Sequence, residues 1–263
     1  MATPMFPLAA SSEMLFASLP WIDRVRRLHE LGYQVEMWDW TTKDLEAAAA
    51  TGATWSTMTG YVHGDLYDRD GGREVVRTAK LAVEAATRLG CPRLVLHGAE
   101  LDRSRAGLPF HPQTVISGRM WLNAYRALAE LAGLAEANGV TFCLENLNLV
   151  VDHVGTPFGR AEDVLTLVET LDRPGVRMLL DLYHAQIGEG NLIELIRRAA
   201  PWIGEVQVAD VPGRHEPGTG EVNWPAVARA LRDTGYTGVV ALEARPSETD
   251  ELALERFRAA FSE

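Results

Sequence analysis

Cysteine is almost missing from this chain, with only Cys91 and Cys143 among 263 residues. Cys143 lies inside an apolar run and Cys91 precedes a proline, so both read as buried structural thiols rather than nucleophiles. An excess of basic residues is also lacking: 25 Lys and Arg face 36 Asp and Glu, for a net charge of −11. Nucleic-acid binding draws on clustered Lys and Arg, and no basic run occurs; Arg24, Arg26 and Arg27 are interleaved with apolar positions. A small anionic substrate stays compatible with this total, because a local arginine or metal outweighs it. No window approaches the roughly 20 apolar residues of a membrane span. The start, MATPMFPLAASSEM, has neither a charged leader nor a long apolar stretch. The expectation is a cytoplasmic protein without membrane or nucleic-acid partners. No low-complexity segment or linker interrupts residues 1–263, so one domain is expected.

What the chain does have is alternation. Short β-like runs fall near Met5–Ala9, Gln34–Met37, Ala53–Met58, Arg93–His97, Val140–Glu145, Val176–Asp181, Gly204–Val208 and Gly238–Glu243. Amphipathic stretches separate them, near Trp21–Leu31, Thr42–Ala50, Arg73–Leu89, Ser117–Asn138, Ala161–Leu171, Leu192–Ala200, Trp224–Asp233 and Glu251–Phe261. Gly32, Gly90, Gly139 and Gly235 sit just beyond helices, where a left-handed cap is needed. Eight strands alternating with eight helices predict an α/β fold, a (β/α)8 TIM barrel, and 47% hydrophobic residues suffice for its core.

Four oxygen-bearing side chains close four of the apolar runs: Glu145, Asp181, Gln207 and Glu243, at intervals of 36, 26 and 36 residues. Such intervals match one strand–helix unit and carry the strand ends to one rim, where barrels place their chemistry. Strand parity puts Thr141, Cys143 and Glu145 on one face and Phe142 and Leu144 on the other. The same count turns Asp181, Gln207 and Glu243 inward with Glu145. Three carboxylates and an amide oxygen repel one another unless a divalent cation sits among them, and hard oxygen donors suit Mg2+ or Mn2+.

Other rim residues are candidates for substrate contact. His184 follows Asp181 by three positions, and His97 ends the run LVLHG. Arg214 lies in a Pro/Gly-rich loop and suits a substrate carboxylate, its competing role being an ion pair with Asp210 or Glu216. Trp38-Asp39-Trp40 and Met58, Thr59, Tyr61 and His63 follow the second and third strands.

Asp181-x-x-His184-Ala185-Gln186, Gly190-Asn191-Leu192, Val206-Gln207-Val208, Arg214-His215-Glu216-Pro217 and Gly220-Glu221-Val222-Asn223-Trp224 closely resemble the hydroxypyruvate isomerase family. That family is one of the xylose-isomerase-like barrels, with ketose 3-epimerases as relatives. The resemblance implies that Glu145, Asp181, Gln207 and Glu243 bind the metal, with Glu145 and Glu243 as the acid/base pair. It implies substrate contact by His184 and Arg214, and an aldose–ketose isomerisation through an enediolate. The expected substrate is hydroxypyruvate, giving 2-hydroxy-3-oxopropanoate; 2-oxo-tetronate isomerisation or ketose 3-epimerisation is the alternative. Copies of such barrels often associate into a homo-oligomer, for which Trp121 and Phe158 are candidate interface aromatics. Asn146-Leu147-Asn148 after Glu145, and Arg245-Pro246 in place of a Lys-Pro pair, depart from the family pattern. A metal-dependent phosphodiesterase, which this barrel type also supports, fits poorly with the acidic charge and the lack of His in the four-ligand set. A non-catalytic binder of sugar acids is the third class.

Overall fold

Eight parallel strands close on themselves in a barrel, and all strand–helix units are joined in sequence order. The computed structural model describes residues 4–105 and 107–262. The barrel strands are β1 (Leu8–Ser11), β2 (Gln34–Met37), β3 (Trp55–Thr59), β4 (Arg93–Leu96), β7 (Thr141–Glu145), β8 (Val176–Asp181), β9 (Ile203–Val208) and β10 (Val240–Leu242). Between β4 and β7 the chain inserts a two-residue antiparallel pair, β5 (Leu101–Asp102) and β6 (Leu108–Pro109). The outer layer comprises α1 (Trp21–Glu30), α2 (Leu45–Ala49), α3 (Arg69–Leu89), α4 (Gly118–Asn138), α5 (Ala161–Leu171), α6 (Leu182–Gly188), α7 (Leu192–Ala199), α8 (Trp224–Asp233) and α9 (Asp250–Ala260). The expected (β/α)8 architecture is present.

The main core lies between strands and helices. Phe142 and Leu144 are fully buried in it, on the face opposite Glu145, as alternation requires. Truncating Leu144 to alanine would cost about 2–5 kcal/mol. The barrel interior holds two small apolar clusters, Val95 with Cys143 and Leu179, and Ala9 with Val239 and Ala241. Beside them Glu205, fully buried, accepts from Ser56 Oγ and from Arg93 Nε at 2.5 Å. Removing one member of such a buried pair strands the other charge, at about 3–5 kcal/mol.

Several boundaries differ from expectation for local reasons. β1 starts after Pro7, which has no N–H for the ladder. α3 begins four residues before its predicted start and runs through Gly71-Gly72. Asp68 caps it, accepting from the Asp70 and Gly71 amides, and a Cβ on Gly71 would lie 2.7 Å from the Asp65 carbonyl oxygen. The LYHAQIG segment, outside every predicted helix, is the short helix α6. Phe158 is 1% exposed and packs edge-on against half-buried Trp121, so Phe158 belongs to the core and is not the exposed aromatic expected for an interface. No helix among the described residues is long and apolar enough to cross a membrane.

Candidate active site

Glu145, Asp181, Gln207 and Glu243 all gather at the C-terminal rim, each at most 6% exposed. Barrel order β7-β8-β9-β10 places Glu145 and Glu243 at the two ends of an arc, with Asp181 and Gln207 between them. Register makes Asp181 and Gln207 direct neighbours. Glu145, Gln207 and Glu243 border a cavity of about 790 Å3 whose walls include Trp38, Tyr61, His97, Tyr183 and Arg214. Ligand sites commonly span roughly 300–1,000 Å3.

Each carboxylate is positioned by identifiable partners. Asp181 Oδ1 caps α6 by accepting from the His184 amide at 2.9 Å, while Oδ2 faces Arg214 and His184. Asn146 clamps the same residue, accepting from the Asp181 amide and donating to the Asp181 carbonyl. Glu243 takes a hydrogen bond from Trp38 Nε1 at 2.7 Å on one oxygen and the Arg214 guanidinium on the other. His97 spans the site from the Tyr61 hydroxyl to Glu145 Oε2, 3.1 Å at each end, and burial lowers its pKa to about 4. Arg214 therefore pairs with Glu243 and Asp181, and with neither Asp210 nor Glu216. It also lies 4.8 Å over the Tyr183 ring.

The loop carrying Arg214 is organised by those two acids instead. Fully buried Asp210 accepts from the Gly218 and Val222 amides and the Trp224 indole. Gly220 approaches so closely that a Cβ would sit 2.6 Å from Asp210 Oδ1. Buried Glu216 binds Ser247 and Arg256.

The donor set suits a hard divalent cation. Burial, followed by repulsion from Glu243, holds Glu145 well above the usual carboxylate range; burial also raises Asp181. Arg214 counters this only in part, so the cluster is short of positive charge. Gln207 Oε1 is buried without a hydrogen-bond partner, an acceptor left for something outside the protein. One ligand atom each from Glu145, Asp181 and His184 also lie within 4.8 Å of one another.

The sequence profile of the xylose isomerase-like TIM barrel family matches residues 25–260. The chain belongs to this family. Within it, a Danio rerio protein provisionally named hydroxypyruvate isomerase is 28% identical over 68% of this chain, which spans 63% of that relative's length. The 2-oxo-tetronate isomerase of Haemophilus influenzae is 28% identical over 95% of this chain and 97% of its own length. Among solved structures, a family 2 AP endonuclease from Brucella melitensis superposes with a TM-score of 0.82 at 26% identity, covering 98% of this chain and 100% of that one.

Two contributors to this site, Glu36 and Asn148, escaped sequence reasoning, and Trp38 was expected at the rim without its partner. Glu36, Trp38 and Asn148 touch Gln207, Glu243 and His184 respectively. Glu36 carried a usable signal: a lone acid in the apolar strand QVEM, inward by parity with Gln34. The Trp38 and Asn148 contacts join residues from different strand–helix units and had none.

Proposed function

We propose that this protein is a metal-assisted aldose–ketose isomerase of a short 2-oxo acid, hydroxypyruvate being the leading substrate. The carrying observation is the pairing of two buried glutamates, Glu145 and Glu243, at the ends of an arc holding Asp181 and Gln207. In this reading Glu145, Asp181, Gln207 and Glu243 would hold one Mg2+ or Mn2+. The cation supplies positive charge that stabilises the enediolate developing on the substrate.

The side chains do the proton work. One glutamate takes a proton from C3 of hydroxypyruvate, and the C–H electrons form the C2–C3 double bond of the enediolate. A proton returns to C2 from the opposite carboxyl, and a hydroxyl proton shifts from the C3 oxygen to the C2 oxygen; the substrate loses and gains one proton, and exchange with solvent returns the two glutamates to their starting states. Trp38 and Arg214 hold Glu243 in place, and His97 does the same for Glu145. His184 and Arg214 are the substrate contacts. Aromatic walls from Tyr61 and Tyr183 exclude water.

A second substrate in the same chemistry, a 2-oxo-tetronate, is favoured by the near full-length match to the Haemophilus influenzae protein and by a cavity larger than a three-carbon acid fills. Phosphodiester cleavage is disfavoured: Glu100 and Asp152 join the cavity wall in a chain of net charge −11, which repels a nucleic-acid strand.

NMR of each acid in D2O with Mn2+ or Mg2+ tests the reading. Deuterium uptake and aldehyde formation are expected, and Glu243→Gln should lower kcat by at least 100-fold. Absence of exchange with both acids, or full turnover by Glu243→Gln, overturns it.

A further inference from the structure

The geometry points to Asn148 as the positioning residue that makes His184 a hydrogen-bond donor to substrate rather than a metal ligand. The substrate part rests on the isomerase reading; the assignment of the ring proton does not.

Asn148 is fully buried and its amide is saturated. Oδ1 accepts from the backbone amides of Val151 at 3.0 Å and Asp152 at 2.9 Å. Nδ2 donates to Asp152 Oδ2 at 2.7 Å and lies 2.8 Å from His184 Nδ1. Rotating the amide by half a turn would set its oxygen against the Asp152 carboxylate and its NH2 against two N–H groups. The orientation is therefore determined by three contacts that do not involve the histidine.

With an N–H aimed at it, His184 Nδ1 must be the acceptor. That excludes both the Nδ1–H tautomer and the doubly protonated ring, leaving the hydrogen on Nε2. Nε2 is the nitrogen that faces the carboxylates, 3.7 Å from Asp181 Oδ2. A ligating nitrogen needs a lone pair, and this ring has spent its lone pair on Asn148. His153 and Tyr183 each contact the ring edge-on with centroids 5.1 Å away, which blocks a flip that would exchange the nitrogens. So although His184 falls within the acidic cluster, it brings an N–H to it. That N–H matches an oxygen of the substrate, and Gln207 Oε1, one of the buried acceptors without a partner among the described residues, is left to complete the cation's donors.

Long-range 1H–15N NMR of the histidine rings, assigned with His184→Gln, reads the tautomer directly. The wild type should show Nε2–H at His184, unchanged by saturating Mg2+. Asn148→Asp, which presents an oxygen to Nδ1, should move the hydrogen there. It should also lower kcat/KM at least tenfold without any loss of Mn2+ affinity by calorimetry, because the lone pair then freed on Nε2 faces the cluster. Nδ1–H in the wild type, or loss of the Nε2–H signal on adding Mg2+, overturns the assignment even if the enzyme is active. A tenfold loss of Mn2+ affinity in Asn148→Asp does the same. Nε2–H in a protein inactive on both 2-oxo acids supports the assignment while sinking the isomerase reading.

Discussion

Glu36 Oε1 accepts the Gln207 amide hydrogen at 3.0 Å, and the oxygen of that same amide is left buried without a partner. Thr57 Oγ1 donates to the same Glu36 oxygen at 3.0 Å. The carboxyl thus chooses which end of the amide faces the cluster. Replacing Glu36 with Leu should lower Mn2+ affinity about 10–100-fold, the usual effect of losing a group that orients a ligand. Glu36→Gln, which still offers an oxygen to Nε2, should restore most of it. Calorimetric titration of both variants decides, and equal affinities would refute the orienting role.

Removing the metal provides a second check. Dialysis against a chelator should abolish turnover, and Mn2+ or Mg2+ should restore it. A cation that binds only the folded chain also raises the unfolding temperature, by about 2.7 kcal/mol of stability at 100-fold excess over Kd. Differential scanning calorimetry with and without Mn2+ measures this shift. Gln207→Leu should abolish most of it.

The Arg214 loop should fail in acid through Asp210. Burial alone would raise this carboxyl, but hydrogen bonds from the Trp224 indole and the Val222, Gly220 and Gly218 amides hold it below the usual range. Its stabilisation is therefore present above the unfolded carboxylate value, about pH 4, and is lost as pH falls through the lower folded value. Asp210→Asn should cost about 1–3 kcal/mol at pH 7. The gap between wild type and variant should shrink below about pH 4 in urea titrations.

Neither cysteine should react in the folded protein. Burial pushes both thiols up to about 12, and both side chains are covered by the barrel. At pH 8 almost no thiolate exists. Ellman's reagent should therefore titrate no thiols natively and both in guanidinium chloride. Rapid native labelling of either would contradict the packing described above.

Much of this was readable from patterning. β2, β8, α5 and α8 match their predicted ranges end to end, because each is a short apolar or amphipathic run with polar or turn-forming residues beside it, and Asn223 caps α8. The inward turn of Glu145, Asp181, Gln207 and Glu243 followed from strand parity, since one slip would have put charges into the helix interface. α6 was missed because its seven residues are too few to show a period, and Asp181 serves as both cap and cluster member. Arg214 was placed in the right loop, and its competing role there, an ion pair with Asp210 or Glu216, is not formed, because those acids are occupied by backbone amides, Ser247 and Arg256.

Local patterning was thus enough for the barrel, its rim and the identity of four convergent oxygens, since apolar periodicity and side-chain alternation are properties of short segments. Which hydrogen bonds those oxygens make depended on the closed barrel. Glu36 meets Gln207 across 171 residues, Trp38 meets Glu243 across 205, and Asn148 meets His184 across 36. Contacts of this separation form only once every strand has taken its register, because hydrogen-bond geometry is sensitive to tenths of an ångström that no one-dimensional spacing encodes.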